Sequence, residues 1–217
     1  MKYAVLGTGM VGNTLATKLI TLGHEVCMAA RSAENETALA WAAEQGDRAG
    51  ANSFQAAAAW ADRLILAVKG AVVLDVVATL DDALLKGKTV IDVTNPLDSA
   101  QGFPPPLIAE LSNTTSAGEA VQAALPSAHV VKTLNTMNHH VMVDPSRVPG
   151  RHDVFLCGDH DAGKAAAAEM LVEFGWTDPI DLGPMSSARG TEGLMLFWLR
   201  MMKVVGGTDF NYAIARK

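Results

Sequence analysis

Gly7, Gly9 and Gly12 stand in the spacing Gly-x-Gly-x-x-Gly, with Thr8, Met10 and Val11 between them, directly behind the run Lys2-Tyr3-Ala4-Val5-Leu6. A short apolar run of this kind reads as a buried strand, and the segment 14–22 carries the apolar spacing of an amphipathic helix. In that setting each glycine has a task. The first allows a tight turn, the second lets the backbone approach a pyrophosphate, and the third lets the helix pack closely on the strand. Unpaired N–H groups at the helix N-terminus then attract phosphate. The chemistry expected is dinucleotide binding; the plain alternative is a tight turn that binds nothing.

The next strand, over 23–32, ends about 20 residues past the last of these glycines, where an adenosine ribose would lie. A carboxylate usually accepts from the ribose hydroxyls of NAD at that point, but this chain has Ala30, Arg31 and Ser32. A guanidinium pairs with a 2′-phosphate through two parallel charge-assisted hydrogen bonds, and a carboxylate would repel it. NADP(H) is therefore expected over NAD(H), held by Arg31 and Ser32. The bland reading makes Arg31 a solvated loop residue and Ser32 the cap of the following helix.

Ligands of open α/β sheets sit beyond the carboxyl ends of the strands. Lys69-Gly70, Thr94-Asn95-Pro96-Leu97, Asn135-Thr136-Met137-Asn138 and Gly183-Pro184-Met185-Ser186 are expected there. Asn95, Asn135 and Asn138 can hydrogen-bond a carboxamide or the edge of an acceptor ring without adding charge, although each is also an ordinary turn residue. Proton donors are scarce. Neither Tyr3 nor Tyr212 precedes a lysine by four positions, and neither Gly-x-Ser-x-Gly nor His-Glu-x-x-His occurs. The adjacent His139 and His140 are expected to point in different directions. No catalytic residue and no metal site is assigned; an acceptor that takes hydride with little help, such as a flavin-type ring, fits.

These loops need a scaffold, and the remaining pattern supplies one. Helices are expected over 34–45, 72–80, 119–125 and 162–174, the last capped by Asp159 or Asp161. A short strand over 52–54 leads into a helical turn over 55–60, and strands follow over 62–68, 89–93, 129–134, 153–158 and 179–182. The proline-rich loop 94–106 is expected to be neither helix nor ladder strand. A strongly apolar helix over 187–205 is expected to pack one face at home and another on a partner subunit, with a short tail after Gly206. The alternation implies an α/β fold: a Rossmann-type, doubly wound parallel sheet with a small C-terminal helical extension.

The chain has 217 residues, 49% of them hydrophobic, a formal net charge of −6 and two cysteines, with a mean hydropathy of +0.18. That balance supports a sizeable core and argues against nucleic-acid binding. No apolar segment reaches the length of a membrane span, and the glycine-bearing N-terminal stretch reads as strand and helix, not as a signal peptide. Cys27 and Cys157 lack metal-ligand spacing, so buried free thiols in a reducing cytoplasm are expected.

Further motifs lie along the whole chain: Leu22-Gly23-His24-Glu25-Val26, Asn95-Pro96-Leu97, Val130-Val131-Lys132-Thr133-Leu134-Asn135-Thr136, Cys157-Gly158-Asp159, and Asp181-Leu182-Gly183-Pro184 with Ser187 and Arg189. With the Gly7-Thr8-Gly9 turn, they make the chain similar to the NADP oxidoreductases dependent on coenzyme F420, a deazaflavin, whose relatives include the reductase domains of metalloreductases. The resemblance implies an NADP-binding Rossmann domain over 1–150 and a small part over 151–217 that completes the sheet and the acceptor site, often in a homodimer. It implies that Thr8 to Val11 and Arg31 hold phosphates. Val68 to Gly70, Asn95-Pro96 and Thr136-Met137 would line the nicotinamide side. From their place in the strand-end loops, Asn135, Asn138 and Met185 are expected toward the acceptor. Archaeal members carry a His where this chain has Asn135, a Ser where it has Ala30 and a Lys where it has Asn35. Coenzyme F420 is the favoured acceptor, with a flavin, a quinone or a ferric chelate as alternatives. An NADP(H) sensor without turnover is the rival from another class, and an imine reductase would need a larger helical domain after Pro184.

Overall fold

Alternation along the first strand decides the architecture. In β1 (Lys2–Leu6), Tyr3 and Val5 point to one face while Ala4 and Leu6 point to the other, and all four are buried. A strand apolar on both sides must be covered on both sides. The computed structural model describes residues 1–215 and shows this covering. The other strands are β2 (Glu25–Ala30), β3 (Ala49–Ser53), β4 (Arg63–Leu66), β5 (Thr89–Asp92), β6 (His129–Thr133), β7 (Phe155–Cys157) and β8 (Ile180–Asp181). They form one sheet in the order β3-β2-β1-β4-β5-β6-β7-β8. Residues of α1 (Met10–Thr21), α2 (Glu36–Gln45), α6 (His139–Val143) and α7 (Asp161–Glu173) fill the core on one face. Residues of α3 (Phe54–Trp60), α4 (Val73–Val77), α5 (Ala117–Ala124) and the start of α8 (Ala188–Val205) fill the other. This is the doubly wound α/β fold expected.

Its strands are not all parallel. The first six run together, but β7 pairs antiparallel with β6, Lys132 opposite Cys157, and β8 follows β7. The only α-helix between β6 and β7 is the five-residue α6. At 1.5 Å per residue it spans about 7.5 Å, too little to carry the chain back along the sheet for another parallel strand.

Several local expectations are corrected. Helix α1 starts at Met10, directly on the glycine turn, rather than at 14. The cap position of α7 is His160, with no side-chain cap. Asp159 instead accepts from the Met185 N–H at 2.8 Å, and Asp161 pairs with Lys164 at 3.3 Å. The loop 94–106 contains a single 3-10 turn, Ser99–Gln101, and Leu97 bridges to Leu107. The segment after Gly206 folds back: Phe210 stacks on Trp198, and the Asp153 N–H donates to the Tyr212 carbonyl at 2.9 Å. Helix α8 buries Met195, Trp198 and Leu199 but leaves Leu196, Phe197, Val204 and Val205 exposed.

Candidate functional site

The site grows from the turn after β1. Gly7 has φ +128°, a conformation that favours glycine, and a Cβ there would meet the Ala67 carbonyl oxygen at 2.5 Å. A Cβ on Gly12 would lie 2.0 Å from the Gly7 carbonyl oxygen, so α1 sits directly on the turn. Gly9 differs. A Cβ there meets nothing within 4 Å, and Gly9 is the N-cap of α1, with no side-chain cap and no acidic residue in the first turn. The first N–H groups of the helix therefore lack intrahelical acceptors and face open space at the positive end of the dipole. Thr8, Gly9, Met10 and Val11 make up this turn, and its open helix N-terminus could hold an anion such as a phosphate.

At the end of β2, Arg31 and Ser32 are both exposed. Among the described residues Arg31 has no hydrogen bond or ion pair. Ser32 is not the cap of α2: Asn35 takes that role, accepting from the Ala38 N–H at 3.0 Å. The Ser32 Oγ instead accepts from the Glu34 N–H at 3.1 Å and donates to the Glu34 carboxylate.

Next along the carboxyl edge, Val68 is half-buried, Lys69 exposed and Gly70 buried. A Cβ on Gly70 would lie 1.9 Å from the Asn95 carbonyl oxygen, so the loops after β4 and β5 touch. The loops after β5 and β6 are tied by a reciprocal pair of hydrogen bonds from side-chain amides. Asn95 Nδ2 donates to the Asn135 carbonyl at 2.8 Å, and Asn135 Nδ2 donates to Asn95 Oδ1 at 2.9 Å. Leu134, with φ +61°, makes the turn out of β6. Pro96, Thr136 and Met137 are buried.

Two residues expected here do other work. Asn138 caps α6, accepting from the His140 N–H at 2.9 Å. Met185 is 1% exposed and packs against Gly118 in α5 and with Ala188 on the face of the sheet. Its loop follows β8, which runs opposite to the first six strands, so it does not join the row of strand ends. The expectation for His139 and His140 is also corrected: their ring centroids lie 4.0 Å apart, and His139 Nδ1 shares a 2.8 Å hydrogen bond with Thr14 Oγ1 of α1.

Sequence reasoning missed a buried triad beneath this edge. Lys132 Nζ lies 2.9 Å from Asp92 Oδ2 and 2.8 Å from Glu192 Oε1, with all three side chains almost wholly buried. Burial alone would push Lys132 down, but the two carboxylates hold its ammonium above the ordinary range. Burial pushes Glu192 up, against the pull of Lys132. Glu192 also accepts from the Ala117 and Gly118 N–H groups at 2.9 and 3.0 Å, capping α5. Asp92 accepts from the Thr94 N–H at 2.8 Å. The signal was a lysine inside the apolar run 130–134, which demands a buried counter-ion.

The thiols and the C-terminal phenol are poor participants in chemistry here. Burial pushes Cys27 up to about 11 and Cys157 to about 12. It pushes Tyr212, whose hydroxyl donates to the Leu194 carbonyl at 3.0 Å, up to about 12. Among the described residues no group of three or more His, Cys, Asp or Glu is placed to hold a metal ion. Among the described residues no helix is long and apolar enough to cross a membrane.

Comparison with known proteins bears on the family and the fold. Residues 2–96 match the family model described as NADP oxidoreductase, coenzyme F420-dependent. A solved structure from Arthrobacter sp. FB24, provisionally described as an F420-dependent NADP-reductase, is 42% identical, with a TM-score of 0.92 over 100% of both chains. The F420-dependent NADP reductase of Methanothermobacter marburgensis is 30% identical over 200 residues, 88% of each protein. Metalloreductase STEAP3 of Rattus norvegicus is 28% identical over 203 residues, 94% of this chain but only 38% of that protein's length. The cradle at Gly9 and this likeness over the whole chain lead to one conclusion: the chain belongs to the F420-dependent family of NADP oxidoreductases.

Proposed function

We propose that this chain transfers hydride between NADP(H) and a flat, flavin-like acceptor, with coenzyme F420 the favoured one. The observation that carries the reading is the carboxyl edge itself: an open, uncapped helix N-terminus at Gly9 in one row with the Asn95–Asn135 pair. When bound, NADPH would supply the hydride. The chain's part is to bind and orient. The N–H groups of Met10 and Val11 hold the pyrophosphate, and Arg31 takes the 2′-phosphate. Val68, Lys69 and Gly70 with Asn95, Pro96 and the 136–137 backbone bound the nicotinamide side. Asn135 faces the acceptor, but its amide is already shared with Asn95, so it fixes the wall and leaves little free to move a proton.

The reading extends to organisation. Residues 1–150 serve as the nucleotide-binding part and 151–217 as the part that completes the sheet and the acceptor site; residues 216 and 217 lie outside the described residues. Leu97 packs against Met195, Trp198 and Leu199 of α8, beside a cavity of about 230 Å³ lined by Pro104, Pro105, Pro106, Leu196, Leu199 and Arg200. The exposed apolar residues of α8 suit a second copy of the chain, and the buried free thiols suit the cytoplasm.

The test is NADPH oxidation by the purified protein with coenzyme F420, FMN or a ferric chelate in turn. Turnover with the deazaflavin is expected. Turnover with flavin or iron alone would move the chain toward the metalloreductase, and tight binding without turnover toward a sensor.

A further inference from the structure

The end of β2 holds one more charged group than a 2′-phosphate site needs. The Ser32 hydroxyl has a single O–H to give, and it gives it to the Glu34 carboxylate. A phosphate needs donors, so Ser32 must first release Glu34 to serve one. The Ser32 hydroxyl holds the Glu34 carboxyl below its usual range, so Glu34 is ionised near neutrality. Glu36 adds a second carboxylate in the first turn of α2. Arg31 is the only cation between 30 and 40. An ionised carboxylate accepts well from a ribose 2′-hydroxyl and repels a 2′-phosphate.

We propose that Glu34 is a specificity-determining residue: by occupying Ser32 it penalises the 2′-phosphate, narrows the preference for NADP(H) and admits NAD(H) to the same site. This rests on the reading that Arg31 meets the adenosine ribose. Like charges a few ångströms apart in water change affinity by roughly tenfold, and at an exposed site the effect weakens as salt rises.

The experiment is calorimetric titration of the intact protein with adenosine 2′,5′-bisphosphate and with 5′-AMP, which needs no turnover. Glu34→Gln is expected to tighten the bisphosphate by about fivefold to tenfold at low salt, to leave 5′-AMP unchanged or weaker, and to lose the gain in high salt. Arg31→Ala is the control and is expected to weaken the bisphosphate alone. If Arg31→Ala weakens it and Glu34→Gln changes nothing, the role of Glu34 is overturned while the site stands. If neither substitution alters the ratio of the two ligands, the placement of the ribose falls as well. Glu34 is exposed and outside the core, so both variants should fold, and unfolding temperatures check this.

Discussion

The two edges of the sheet are built on opposite rules. At the amino edge, where the first six strands begin, polar groups are closed off. His24 pairs with Glu173 at 3.0 Å. Arg63 reaches the Ala166 carbonyl at 2.8 Å and the Glu169 carboxylate at 2.5 Å. Lys88 Nζ donates to the carbonyls of Ala58 and Ala59 at the end of α3. At the carboxyl edge of the same strands the first turn of α1 is uncapped, and the side chains of Arg31 and Lys69 have no partner among the described residues. Thr94 Oγ1 is buried with no hydrogen bond. Buried polar groups are nearly always paired, so this difference is what the proposed reading of the carboxyl edge as the ligand side rests on.

Within the carboxyl edge, glycine substitutions separate packing from room for a ligand and carry the largest effects. Gly70→Ala puts a Cβ 1.9 Å from the Asn95 carbonyl oxygen, and overpacking backbone against backbone is expected to cost about 3 kcal/mol or more. Thermal unfolding should show a fall of roughly 6–12 °C, at about 2–4 °C per kcal/mol for a chain of this size. Gly9→Ala, whose Cβ meets nothing, is expected to leave the unfolding temperature within about 2 °C yet weaken NADP+ binding by roughly tenfold or more, read by calorimetry. Equal behaviour of the two variants would break the distinction.

Arg63→Ala tests the scaffold edge. It removes an ion pair to a Glu169 side chain that is 66% exposed, worth little alone, together with the bond to the Ala166 carbonyl. A loss of about 1–2 kcal/mol in urea unfolding is expected, with NADP+ affinity unchanged.

The smallest effect is that of acid. Burial, then the facing His140 and Arg147, push His139 below its ordinary 6.5, and burial with His160 does the same to His129. Both are favoured neutral in the fold, so the unfolded chain binds more protons and stability falls as pH drops below about 6.5. The unfolding temperature should decline by about 1–2 °C between pH 7 and 5.5 from these groups, and His139→Gln should shrink the decline.

Legibility from sequence followed how local each cause was. Gly7, Gly9 and Gly12 declared the tight strand-to-helix turn because its demands are local, and β1 declared its two-sided burial in five letters. The reversal at β7 was hidden, since a strand's composition reads the same in either direction and only the shortness of α6 decides it. Met185 was misplaced for the same reason. Asn138 was spent on its own helix, the ordinary fate of an asparagine at a turn. Glu192 sits in a helix that reads as apolar, and its partners lie 60 or more positions away, beyond any local pattern.

That distance bears on how the protein comes to be folded. The N–H groups of Ala117 and Gly118 and the ammonium of Lys132 all wait on a carboxylate that emerges from the ribosome long after them. At about 5–20 residues per second the wait lasts several seconds. During that interval a nascent chain has β5 and β6 but no Glu192, and its buried lysine is matched only by Asp92. Docking of α8 is thus a contact of high sequence separation, slow to close, and until it closes Lys132 and the start of α5 lack the carboxylate they share.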